Sequence, residues 1–308
     1  MKTSKVKVIF YIKILLGLLL LYYLADYLNP RELWVSFISS NKLKVLISAL
    51  LIFPLLYLQF FKWRELSGNL LGIKSKKKIL DSLLFGISAG LLTPMRLGEF
   101  AGRVYILKGT SKSQILVVSL LDKYLTHLYY PVFGIVPLFI FFPEYTTEFI
   151  YALLGIIIYW ILVIQLLKLR KIKLIINSLR NRFELFDKFV IAVKLVKEMD
   201  RKLLTKVLFI AFVYVVLNLL QYAILISAFS MEDKYFTYLF ACGFIFWFRS
   251  LLPVFTIGDL GVRELTAIYF LSLVGVNEFA AFNASLTIFI FNLVIPSIVS
   301  FFVVRGER

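Results

Sequence analysis

Apolar residues fill long uninterrupted stretches of the chain, and charged residues gather in the short intervals between them. Eight apolar segments stand out, at about 8–28, 43–61, 79–107, 113–142, 149–168, 205–228, 235–275 and 279–304. Within each segment the apolar positions are continuous rather than alternating, which predicts helices and argues against a membrane β-barrel. A helix rises about 1.5 Å per residue, so about 20 apolar residues cross the hydrocarbon core of a bilayer. The pattern therefore predicts an all-α, polytopic membrane protein. Two segments, 79–107 and 235–275, are too long or too broken for one straight span. Pro94 and Gly98 interrupt the first, and Pro253, Gly258 and Gly261 interrupt the second. Proline removes a backbone donor and disfavours helix at the residue before it, while glycine loosens the backbone. Each segment is expected to form two half-helices joined by a break.

Charge decides whether a broken segment crosses the membrane or returns to the side it entered. If both return, and Met1 is cytoplasmic, 26 of the 35 Lys and Arg fall in cytoplasmic pieces, including 6 between Lys62 and Lys78 and 12 between Lys168 and Lys206. Crossing at 79–107 would push the twelve-base stretch outside, which the positive-inside rule rejects. The expected architecture is about six full spans plus two re-entrant helical hairpins entering from opposite faces, with both termini cytoplasmic. The whole chain, 1–308, reads as one integral membrane domain. Its first half, 1–168, contains the hairpin at 79–107, and its second half, 205–304, contains the hairpin at 235–275. Between them, 168–206 mixes bases with apolar residues at helical spacing and reads as an amphipathic segment on the inner leaflet. That density of apolar residues argues against nucleic-acid binding. The N-terminal bases Lys2, Lys5, Lys7 and Lys13 resemble the start of a secretory signal, but no small-residue cleavage site follows, so an uncleaved first span is expected.

The two breaks carry similar chemistry. Gly98, Glu99 and Arg103 follow Pro94, and Gly258, Asp259 and Arg263 follow Pro253, in both cases as Gly-acid-x-x-x-Arg. Chance would give about 0.03 copies of that pattern in a chain of this composition. Five bases, Arg96, Arg103, Lys123, Arg249 and Arg263, and four acids, Glu99, Asp122, Asp259 and Glu264, fall inside the expected membrane region. Each would cost roughly 2.5 to 3.5 kcal/mol unpaired at the bilayer centre, so they must pair or line water. Glu99 and Arg103, like Asp259 and Arg263, are four apart and share a helix face if the returning half-helix has begun. Two roles stay open: the pairs pin the hairpin ends, or they line a polar cavity with a positive excess. In the second case, half-helix N-termini near Gly98 and Gly258 would add exposed N–H groups, and arginine's planar fork suits phosphate oxygens.

Other candidates are weaker. Lys123 and His127 share one face of the next helix, and a lone membrane histidine is most often hydrogen-bonded to a neighbour. Cys242 lies in an apolar stretch and reads as a small core residue. No Gly-rich phosphate loop after a strand, no Gly-x-Ser-x-Gly and no zinc-ligand spacing occurs, so no catalytic residue, metal or cofactor is expected.

The stretch 93–107, Thr-Pro-Met-Arg-Leu-Gly-Glu-Phe-Ala-Gly-Arg-Val-Tyr-Ile-Leu, resembles the transmembrane, flippase-like domain of the lysylphosphatidylglycerol synthetase family. A second match, ending Gly-Asp-Leu-Gly-Val-Arg-Glu at Glu264, looks like that family's Gly-Gly-Leu-Gly-Val-Arg-Glu stretch, and Asp122-Lys123 stands where the family tends to have Glu-Arg. Met95 replaces the usual glycine after the proline, and Asp259 replaces the second glycine. The resemblance implies a protein of the bacterial inner membrane that moves an anionic phospholipid or lipid-linked headgroup between leaflets, without the synthetase domain and without enzymatic activity. In that reading Arg103 and Arg263 contact the phosphate, and Glu99, Asp259 and Glu264 orient them. The alternatives are an accessory subunit that recruits or regulates a separate lipid-modifying enzyme, and a small-solute transporter.

Overall fold

The computed structural model describes residues 15, 18–24, 26–141, 147, 150, 151, 154, 157, 199–251, 256 and 259–304. Most of the expected span at 149–168, the amphipathic segment at 168–206 up to residue 198, and the break residues Pro253 and Gly258 lie outside the described residues. Every regular element among the described residues is helical. In chain order these are α1 (Pro30–Ser39), α2 (Lys42–Leu50), α3 (Ile52–Leu71), α4 (Lys76–Leu91), α5 (Gly98–Ile106), α6 (Lys112–His127) and α7 (Tyr129–Phe141). Then follow α8 (Arg201–Ser230), α9 (Tyr235–Leu251), α10 (Val262–Ser272), α11 (Glu278–Phe289) and α12 (Ile295–Val304).

Three helical stretches among the described residues are long and apolar enough to cross a membrane: Lys42–Leu71, Arg201–Ser230 and Glu278–Val304. The first joins α2 and α3 through Leu51, and the third joins α11 and α12 through a π-helical turn, Ile290–Val294. The sequence pattern ended the first of these at residue 61, because Lys62 is charged, yet the helix runs ten residues further.

The pair α2–α3 and α8 lie antiparallel, and polar contacts mark the register along their length. The Asn41 N–H donates to Ala228 O at one end. Gln221 Nε2 donates to Ser48 O (2.9 Å), Gln59 Nε2 to Tyr214 Oη (3.0 Å), and Lys206 pairs with Glu65 (2.9 Å) near the other end. Beyond α8, Lys44 binds Asp233 in the 231–234 turn, and that hydrogen bond holds the exposed Asp233 carboxyl down at about 2.

Helices α4 and α5 form a tight hairpin. The chain leaves α4 at Leu91, turns through a 3₁₀ step at Pro94–Arg96 and returns as α5 from Gly98. Two Gly-x-x-x-Gly pairs, Gly86/Gly90 and Gly98/Gly102, allow the backbones to meet. A Cβ on Gly98 would lie 2.1 Å from the Ala89 carbonyl oxygen, and one on Gly102 would lie 3.0 Å from Gly86 Cα. Small residues at such spacing permit close helix approach where water supplies no hydrophobic drive.

The bases of the two broken segments sit at opposite ends of α8. Ile79 and Leu107, from the start of α4 and the end of α5, share one apolar cluster with Trp63, Ile115 and Val207, and Leu203 packs against it. Tyr238 of α9 and Leu271 and Val276 at the end of α10 share another with Leu219, Leu225 and Phe229. Phe270 of α10 stacks edge-on against both Phe244 and Phe248 of α9, so this pair also folds back on itself. Cys242 is fully buried within that cluster, as its apolar setting led one to expect.

Candidate functional site

Both motifs line one cavity of about 380 Å³. Of the nine charged residues that the sequence singled out, Arg96, Glu99, Asp122, Lys123, Arg249, Asp259 and Arg263 face it. Arg103 and Glu264 do not. They stand behind the wall, almost wholly buried, each paired with a residue of the motifs.

The first cluster is a charge network drawn from α3, α5, α6 and the 3₁₀ step between α4 and α5. Glu99 accepts Arg103 on Oε1 (2.9 Å), and on Oε2 it meets Lys123 (2.8 Å) and Arg96 (3.3 Å). Arg103 reaches across to Asp122 Oδ2 (3.0 Å), and its guanidinium lies 4.1 Å from the centroid of the Trp63 ring. Lys62 closes the network on Asp122 Oδ1 (2.9 Å) and also bonds Thr126. Glu99 and Arg103 do share one face, because α5 begins at Gly98, ahead of both. The Gly98 N–H itself is not offered to a ligand, since it donates to Thr93 Oγ1 at 2.6 Å.

The second cluster departs from the symmetry that the repeated motif suggests. Asp259 pairs with Arg249 (3.0 Å) on α9, not with Arg263 four residues on. The reason is local: α10 starts only at Val262, so Asp259 precedes the helix and holds a left-handed φ of 59°. Arg263 instead binds the adjacent Glu264 and lies over the Phe289 ring, 4.0 Å from its centroid. Glu264 Oε2 accepts the Gly261 N–H (2.8 Å), so this helix start is capped by its own side chain. The cap is at Gly261, three residues beyond the Gly258 that the sequence suggested.

Lys62 was missed. It was assigned to a cytoplasmic interval, yet it is only 5% exposed and lines the cavity. The signal that was available is position, since Lys62 directly follows the apolar run 43–61 and is itself followed by a tryptophan. The glycine pairs of the hairpin were equally legible and also went unread. With Lys62 included, six cationic side chains face or back the cavity against four carboxylates. His127 also lines it, and its Nδ1 contacts the Lys123 carbonyl at 2.8 Å, the neighbour hydrogen bond expected of a lone membrane histidine.

A family model, Lysylphosphatidylglycerol synthase TM region, matches residues 10–300. The chain belongs to that family. The match to the lysylphosphatidylglycerol synthase TM region covers both broken segments and every residue of the charge network, and it includes no synthetase domain. Membership agrees with the resemblance carried by residues 93–107 and by the stretch ending at Glu264, and it ties the chain to membrane lipid handling. No curated protein matches the chain.

Proposed function

We propose that this protein is a non-enzymatic lipid translocase of the bacterial inner membrane, carrying an anionic phospholipid or lipid-linked headgroup between leaflets. The observation that carries the reading is the single cavity lined by both motifs, with its excess of cationic side chains. A buried excess of positive charge is costly in hydrocarbon unless an anion or water shares it, and a phosphodiester supplies the missing negative charge. In this reading the two broken segments enter the membrane as re-entrant hairpins from opposite faces, with both termini cytoplasmic. Their bases at opposite ends of the 30-residue α8, which is about 45 Å long at the usual rise, support that arrangement. Broken helices of opposite entry that meet between the faces are a common way to build a transport site.

The phosphate contacts fall to Arg96 and Arg249 rather than to Arg103, whose guanidinium is taken up by Glu99, Asp122 and Trp63, or to Arg263, which is held by Glu264 and Phe289. Arg96 and Arg249 keep side chains that are 33% and 18% exposed, respectively, and among the described residues each has one carboxylate partner. Arg96 can leave Glu99 without stripping it, because Lys123 and Arg103 remain.

The test is leaflet exchange of labelled phosphatidylglycerol in proteoliposomes. The double variant Arg96→Gln, Arg249→Gln should slow exchange at least about tenfold, the effect of losing about 1.4 kcal/mol of stabilisation in the rate-limiting complex. Equal exchange by wild type and a folded double variant would overturn the assignment.

A further inference from the structure

Part of the cavity lining is neither charged nor apolar. Gln59 of α3, Tyr214 and Asn218 of α8, and Asn292 in the π-helical turn all face it. Their mutual hydrogen bonds use only part of their capacity. Gln59 Nε2 donates to Tyr214 Oη (3.0 Å), which leaves Gln59 Oε1 as an acceptor and the tyrosine hydroxyl as a donor. Asn292 Nδ2 donates both to Asn218 Oδ1 (3.1 Å) and to Gln221 Oε1 (2.7 Å), leaving Asn292 Oδ1 and Asn218 Nδ2 unspent among the described residues. The group is also held still. Gln221 is fully buried and donates to Ser48 O, and Ser48 Oγ donates to Gln221 O. The π-helical turn adds to the same point, since such turns are costly and concentrate at functional sites.

Gln59, Tyr214 and Asn292 are half-buried, so the two spare donors and two spare acceptors open into the cavity beside the cationic cluster rather than into packed core, where unsatisfied polar groups would be expensive. They are a good match for hydroxyls, each of which gives one hydrogen bond and takes others. An ammonium group has donors only, so it would leave Asn218 Nδ2 and the tyrosine hydroxyl unmatched, and the surrounding cations would repel it. We infer that Gln59, Tyr214, Asn218 and Asn292 form a hydroxyl-recognition subsite, so that the cavity selects a phosphate ester of an uncharged polyol. This rests on the translocase reading for the phosphate and adds the identity of the group esterified to it.

Two phosphodiester lipids of equal charge separate the terms. Phosphatidylglycerol carries two headgroup hydroxyls, and phosphatidylethanol carries none. With full-length protein in detergent, native mass spectrometry should show at least about tenfold stronger retention of phosphatidylglycerol, because a site built to hydrogen-bond a hydroxyl discriminates against an analogue without it. Asn292→Leu and, separately, Gln59→Leu should bring phosphatidylglycerol down towards the phosphatidylethanol level. If one variant fails to fold, the other and the wild-type ratio still decide the matter. Equal retention of the two lipids by wild type overturns the subsite and leaves the anionic-lipid reading standing. Retention of both no better than zwitterionic phosphatidylethanolamine overturns the translocase reading and the inference with it. A soluble arm distinguishes a free ligand: preference for glycerol 3-phosphate over ethyl phosphate, with no lipid preference, upholds the hydroxyl subsite and overturns the lipid source.

Discussion

Glu99 meets three cations with two oxygens while being 1% exposed, and that asymmetry sets what substitutions in the network do. Removing Glu99 leaves Arg96, Arg103 and Lys123 facing one another in a site already rich in positive charge. Removing Lys123 reduces the excess, and Arg96 and Arg103 still satisfy the carboxylate. Glu99→Gln is therefore expected to cost about 3 to 5 kcal/mol, the usual penalty for stranding buried charge, and Lys123→Gln much less. Thermal melting in detergent checks the order; a lower melting point for Lys123→Gln than for Glu99→Gln contradicts this account. At this scale the sequence was informative about which residues matter, because charge in an apolar segment is conspicuous. It gave one partner, Arg103 for Glu99 four residues on, but not the partners on other helices. Arg103 bonds Asp122 nineteen positions away on another helix, and Lys62 bonds the same carboxylate from sixty away. Pairing across helices depends on how they pack, which no local spacing records.

At the scale of elements, the motif's proline and glycine announced both breaks, and the first break falls at Pro94–Arg96, where the sequence placed it. Close packing of the hairpin rests on its glycines, and Gly98 is the most demanding. Its Cβ would strike the Ala89 carbonyl oxygen, which is backbone inside α4 and cannot yield without bending the helix. Gly98→Ala should destabilise by about 3 kcal/mol or more, at the upper end of overpacking, whereas Gly68→Ala on α3, whose nearest new neighbour would be 3.8 Å away, should be mild. Comparable melting of the two variants would refute a tight hairpin. The two motifs read alike in sequence but differ in structure because their helices start at different offsets. Gly98 is the first residue of α5, whereas α10 begins four residues after Gly258. That shift moves Asp259 off the helix and hands it to Arg249.

For the whole molecule, the topology makes a sharp prediction. In a Cys242→Ala background, Lys74→Cys and Lys108→Cys flank the first hairpin, and Lys234→Cys and Glu278→Cys flank the second; all four positions are exposed. A membrane-impermeant maleimide should label the first two from the cytoplasmic side and the last two from the outside. Labelling of positions 74 and 108 from opposite sides would show that the first hairpin crosses. The sequence alone determined the helical, membrane-embedded class, the two breaks and the residues of greatest chemical interest, because hydrophobic continuity, proline, glycine and buried charge are properties of local composition. Membership of the lysylphosphatidylglycerol synthase TM region family was legible in the same way, from two short motifs. Only the tertiary structure decided that both motifs share one cavity, that Lys62 belongs to it while Arg103 stands behind its wall, and that amides from α3, α8 and the π-helical turn complete its lining. These outcomes depend on helices distant in sequence being packed side by side. A charge or an amide acquires its role from the neighbours that packing supplies.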